Sequence, residues 1–269
     1  MVRLINYLFV LLATLLWGDN IFARTLNEVS PTKILIIGNS IIYVNNLPAT
    51  LSSLLPPGST VDMFAKGGGS VTDMAYSKNL RIALARTKYQ VVFIQEQGGS
   101  DLCLAFDKPK TGKPCESSVD AHIYLSNMVK KGGSMPYYMG TYQTDPQMSQ
   151  LLVDSERFMA KTMGSPYLEM SNNLLRLRTD HPQYKWFNTS DLHPGYALTT
   201  LMAIEMYKAL YHRYPKPINI CDSYIRYNPK DKFNGFVDSA ALLRHGLKSQ
   251  CVATKDEMKT MINDLIRSN

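Results

Sequence analysis

The strongest constraint in this chain is a row of short apolar runs, most of them closed by glycine or a polar turn and followed by a helix-length segment. Residues 33–38 (KILIIG), 60–65 (TVDMFA), 90–95 (QVVFIQ), 135–140 (MPYYMG) and the pair Tyr167-Leu168 read as strands. They are too short for buried helices, and several are rich in β-branched residues. Helical patterns fill the intervals. Leu47 to Leu55 stops at Pro56-Pro57-Gly58, and Thr72 to Thr87, Ser118 to Lys131 and Gln147 to Met163 follow in turn. Tyr196 to Tyr214 reads as a long amphipathic helix ended by Pro215. Strands alternating with helices at this spacing imply a three-layer α/β/α domain around a parallel sheet of about five strands. Residues 216–269 break the alternation. Ile218 to Phe236 reads as loop and Lys255 to Arg267 as a helix, so this part is expected as a C-terminal extension packed on a domain spanning 24–215.

The first residues have the pattern of a secretory signal. Arg3 supplies the positive end, and Leu8 to Trp17 is an apolar run about half as long as a membrane span requires. Ile21-Phe22-Ala23 offers a small residue for cleavage, which places residues 1–23 in the signal peptide and the mature start near Arg24. No later stretch is long and apolar enough to cross a bilayer, so the expectation is a secreted or periplasmic protein without stable membrane insertion. Cysteine usage agrees. Cys103, Cys115, Cys221 and Cys251 form an even set with no zinc-like spacing. Three pairings are open, and proximity favours Cys103–Cys115 with Cys221–Cys251. The formal charge of +7 is spread along the chain rather than massed, which argues against nucleic acid as a partner.

In a parallel sheet, functional groups collect in the loops after the carboxyl ends of strands. Gly38-Asn39-Ser40, Gly67-Gly68-Gly69 and Gln95-Glu96-Gln97 all fall at such ends, and His193 lies just before the last long helix. A serine after a strand is commonly a helix cap, a triple glycine a turn, and a lone histidine structural. Their joint placement on one edge is what points to chemistry. Acyl transfer needs a nucleophile, a base and donors for an oxyanion, and these clusters contain all three. Ser40 is the candidate nucleophile and His193 the candidate base, with His181 as its rival. Thr111-Gly112-Lys113 lacks the upstream glycine of a phosphate loop. His122, His212 and His245 show no metal-ligand spacing.

The order of these clusters resembles the four blocks of the SGNH/GDSL hydrolase superfamily. Its Gly-Asp-Ser block appears as Gly38-Asn39-Ser40, its second-block glycine as Gly68 before Gly69-Ser70, its third block as Gln95-Glu96-Gln97-Gly98, and its last block as Ser190-Asp191-Leu192-His193-Pro194. The match is closer to a bacterial branch with a Gly-Asn-Ser first block and a Gln-Glu-Gln third block, and it covers about residues 33 to 214. The resemblance implies a flavodoxin-like fold and a serine esterase acting on a small-molecule or carbohydrate ester, with no metal or cofactor. Ser40 would attack the ester, His193 would take its proton, and the N–H groups of Ser40 and Gly68 with the Gln97 side chain would form the oxyanion hole.

Two departures qualify that assignment. Gln97 stands where the superfamily has asparagine, and Gln95 competes with it if the strand continues and both share a face. The superfamily acid lies three residues before the histidine, where this chain has Ser190; Asp191 is one residue nearer. Either Asp191 reaches the imidazole or a backbone carbonyl orients it in a Ser-His dyad. Glu96 is expected to cap or pair near the site rather than react. An acyltransferase on the same site, or an inactive glycan-binding module that kept the fold, are the alternatives to hydrolysis.

Overall fold

A computed structural model describes residues 30–106, 113–189 and 191–268; the expected signal segment 1–23, Thr111-Gly112 and Ser190 lie outside them. The strands are β1 (Lys33–Gly38), β2 (Thr60–Lys66), β3 (Val91–Gln95), β4 (Met135–Met139), β5 (Tyr167–Leu168), β6 (Ile220–Tyr224), β7 (Asn234–Val237) and β8 (His245–Ala253). The helices are α1 (Ser40–Tyr43), α2 (Leu47–Ser52), α3 (Val71–Ala75), α4 (Lys78–Arg86), α5 (Cys103–Phe106), α6 (Lys113–Lys131), α7 (Pro146–Met163), α8 (Ser171–Asp180), α9 (Tyr196–Tyr211), α10 (Ser239–Leu242) and α11 (Lys255–Arg267).

Six strands form the main sheet in the order β5-β4-β3-β1-β2-β7. The first five are parallel and in flavodoxin-like order, while β7 adds an antiparallel edge against β2. Successive side chains of a strand point to opposite faces, and both faces here are dry. Ile34, Ile36, Met63 and Phe93 pack with α2, α8, α9 and α11 on one side. Leu35, Ile37, Val92 and Ile94 pack with α3, α4, α6 and α7 on the other. That is the expected three-layer arrangement, with one strand more than the sequence suggests.

Several local elements differ from the sequence expectations. The predicted helix from Thr72 to Thr87 is two helices, because the Ser77 side chain accepts the Leu80 N–H and starts α4 anew. Residues 100–106 and 113–117, outside any predicted strand or helix, hold a 3₁₀ turn, α5 and the start of α6. Helix α8 has no counterpart in the sequence reading. The stretch Ile218 to Phe236, read as loop, contains β6 and most of β7.

The long helix α9 is not amphipathic but buried nearly all round, Leu198 to Met206 included. The C-terminal region supplies its second cover. Met258, Met261, Ile262 and Leu265 of α11 join the same apolar cluster. Strands β6 and β8 pair antiparallel with Cys221 opposite Cys251. Both favoured disulfides, Cys103–Cys115 and Cys221–Cys251, are formed. Among the described residues no helix is long and apolar enough to cross a membrane.

Candidate active site

The sheet order reverses at β1, whose neighbours β2 and β3 carry the chain away on opposite sides. Such a switch point opens a crevice at the carboxyl edge. Three loops meet there: Asn39-Ser40 after β1, residues 67–70 after β2 and residues 96–99 after β3.

Asn39 ties the three together. Its side-chain oxygen accepts the Ile41 N–H at 3.1 Å, which starts the short helix α1. Its side-chain nitrogen donates to the Gly69 carbonyl at 3.0 Å, and its backbone N–H donates to Gln95 Oε1 at 3.2 Å. Gly38 leaves room for that last contact. A Cβ there would lie 2.4 Å from Gln95 Oε1, so the demand is close approach rather than an unusual turn. Gln95 is fully buried in this role, whereas Gln97 is exposed and lines the pocket. β3 ends at Gln95, so the two do not share a strand face.

Ser40 opens α1, where its N–H has no carbonyl four residues back within the helix. Its Oγ lies 2.9 Å from His193 Nε2. His193 Nδ1 lies 3.1 Å from Asp191 Oδ1, and the same oxygen accepts the His193 backbone N–H at 2.9 Å. The two-residue spacing therefore lets the carboxylate curl back onto both the main chain and the ring of His193. His181, the rival histidine, pairs instead with Asp264 at 2.7 Å, beside α11. Gly68 adopts a left-handed backbone with φ of 67° and also lines the pocket. Among the described residues the Ser40 and Gly68 amides donate to no other group. The pocket holds about 300 Å³, and its rim includes Leu192, which is 62% exposed.

Three supporting residues carry more of the geometry than their sequence context suggests. Glu96 is buried, as a capping residue should be, and joins two loops. It accepts the Val71 N–H at 3.1 and 3.2 Å and the Gln97 N–H at 2.6 Å, with His122 Nε2 3.7 Å away. Burial pushes its carboxyl up, against the opposing pull of His122. Tyr142 donates its hydroxyl to the Leu192 carbonyl at 2.6 Å, inside the Asp191–His193 turn. Asn45, left-handed at φ 59°, donates its side-chain amide to the Pro194 carbonyl at 2.6 Å. The Asn45-Asn46 pair is the one sequence signal that could have flagged the last contact, since asparagine tolerates that backbone region.

No family model matches the chain, and no curated protein matches it. Solved structures do. LAE5, an alpha/beta hydrolase from the Lake Arreo metagenome in Spain, is 18% identical at TM-score 0.51, covering 69% of this chain and 98% of its own. A catalytic mutant of Axe2, an acetylxylan esterase from Geobacillus stearothermophilus, is 14% identical at TM-score 0.50, covering 68% and 96%. A DUF4886 family protein from Bacteroides uniformis is 14% identical at TM-score 0.52 and covers more of this chain, 88%, and 95% of its own. The strand order, the two apolar layers and these likenesses together show that the chain has the three-layer α/β/α fold of such hydrolases.

Proposed function

We propose that this protein is an exported serine ester hydrolase acting on an O-acylated carbohydrate or a similar small ester. The observation that carries the proposal is the alignment of Ser40 Oγ, hydrogen-bonded to His193 Nε2 at 2.9 Å, with the Asp191 carboxylate 3.1 Å from His193 Nδ1 on the far side of the ring. Neutral His193 accepts the Ser40 proton at Nε2 as Oγ attacks the ester carbonyl. Asp191 holds the Nδ1–H and stabilises the imidazolium that forms. The oxyanion develops beside the free N–H groups of Ser40 and Gly68 and within reach of the pocket-lining Gln97 amide. His193 then gives its proton to the departing alcohol, leaving an ester between the acyl group and Ser40. Water attacks that ester, again losing a proton to His193, and the acid leaves as Ser40 recovers its hydrogen.

Several features support this reading. A pocket of about 300 Å³ suits a short acyl group on a sugar hydroxyl. Structures of like fold include an acetylxylan esterase. The paired cysteines fit an oxidising compartment, as the signal-like N-terminus does. A complete Ser-His-Asp chain favours an enzyme over an inactive binding module. The test is turnover of p-nitrophenyl acetate by the chain lacking residues 1–23. Wild type should hydrolyse it, and Ser40→Ala should fall to the uncatalysed rate. Equal rates for the two would sink the proposal.

A further inference from the structure

A second cleft backs onto the first across the His193 loop. Its volume is about 570 Å³, larger than the pocket at Ser40. The loop between the two is a hairpin. Phe187 bridges Pro194, the Asn188 N–H donates to the His193 carbonyl at 3.0 Å, and the Gly195 N–H donates to the Trp186 carbonyl at 2.8 Å. The turn of the hairpin presents Asp191 and His193 to Ser40. Its outer strand presents Lys185, Phe187 and Asn188 to the second cleft, and Asp191 lines both spaces. The opposite wall is Asn228 to Lys230 of the C-terminal region. That wall is fixed to the catalytic edge by the Asn45 N–H, which donates to the Tyr227 carbonyl at 2.9 Å.

The lining has a definite chemistry. Lys185 and Lys230 are exposed, and neither pairs with a carboxylate among the described residues. The Asp191 carboxylate is already engaged by His193, and the neighbouring Asp231 accepts the Asn228 N–H at 2.8 Å. Two cations therefore stand without partners beside the rings of Phe187 and Tyr196 and the amides of Asn188 and Asn228. Rings against the faces of sugars, amides toward hydroxyls and ammonium groups toward carboxylates make a site for an acidic glycan. Asp191 lines both spaces, so the cleft lies within reach of a chain whose acylated unit sits at Ser40 and which passes over the Asp191 side of the hairpin.

We infer that this cleft binds the carboxylate-bearing sugar units flanking the acylated one, so that the preferred substrate is an O-acylated acidic polysaccharide. The inference rests on the ester-hydrolase reading and deepens it. It is tested with the full mature chain and with Lys185→Ala/Lys230→Ala, two exposed changes away from Ser40. Substrates are an O-acetylated oligogalacturonide, an O-acetylated xylo-oligosaccharide and p-nitrophenyl acetate. Wild type should show the lowest KM on the oligogalacturonide. The variant should raise that KM about fivefold to tenfold, the scale of two exposed charge contacts, with kcat unchanged. The other two substrates should not respond, and added salt should erase the difference. Equal KM for the two glycans in wild type, or no response to the variant, overturns the inference. Binding of a de-acetylated oligogalacturonide, followed by calorimetry, separates the two readings. If wild type turns over no ester but binds this oligomer and the variant does not, the cleft stands and the hydrolase reading fails. No binding by wild type removes the cleft instead.

Discussion

At the scale of residues, one carboxylate oxygen does two jobs. Asp191 Oδ1 accepts the His193 backbone N–H and lies 3.1 Å from the ring Nδ1, so a spacing of two brings the carboxylate to the imidazole. The side chain is 33% exposed, and water shares in stabilising the imidazolium. Asp191→Asn should therefore lower kcat about a hundredfold rather than the ten-thousandfold of a buried acid, with KM little changed. Steady-state kinetics on p-nitrophenyl acetate measure this, and full activity would mean a Ser-His dyad. The meeting of Ser40, Gly68 and His193 at one pocket was legible in the sequence because they sit in order at strand or helix ends. The choice between Gln95 and Gln97 was not, because it turns on where β3 stops. Nor was the close approach at Gly38, where a glutamine 57 residues later in the chain reaches back across the sheet.

At the scale of elements, the site is three loops at a reversal of strand order, and Glu96 clamps two of them. Its carboxylate holds the Val71 N–H at the start of α3 and the Gln97 N–H at the end of β3. The loops carrying the proposed donors Gln97 and Gly68 thus share one buried carboxyl. Glu96→Gln keeps the size but places an amide where an acceptor stood. It should lower kcat about tenfold while leaving KM nearly unchanged, the mark of donors displaced in the transition state. An unaltered kcat would show that the two loops hold their positions unaided. The five parallel strands were readable because each is a short apolar run between turn residues. β6 and β7 were not, since only Ile220 among their residues is buried and neither forms an apolar run. α9 misled in the other direction. Its all-round apolar face has meaning only once α11 is known to cover it.

At the scale of the whole molecule, the C-terminal region completes the core and walls the second cleft, so the same segment serves stability and the proposed glycan site. Burial of α9 carries a charge cost. Glu205 on that helix is pushed up to about 7 by burial, and Glu156 on α7 is likewise pushed up to about 7. Unfolded, each ionises near its ordinary 4.5. Between those values the folded chain holds more protons than the unfolded one, so stability falls as pH rises through that window. Glu205→Gln removes one of these costs, on the order of 3 kcal/mol once the carboxyl is ionised. Its Tm should exceed that of wild type at pH 8 and match it near pH 4.5; a gain of equal size at both would assign the effect to packing. The central claim concerns the folded chain as a catalyst with one nucleophile, and covalent capture tests it directly. The purified mature protein is treated with a fluorophosphonate and its intact mass and peptides are read. One adduct on Ser40, absent from Ser40→Ala and slowed in His193→Ala, is the expected result. An adduct that persists in Ser40→Ala, or no adduct on wild type, would contradict it.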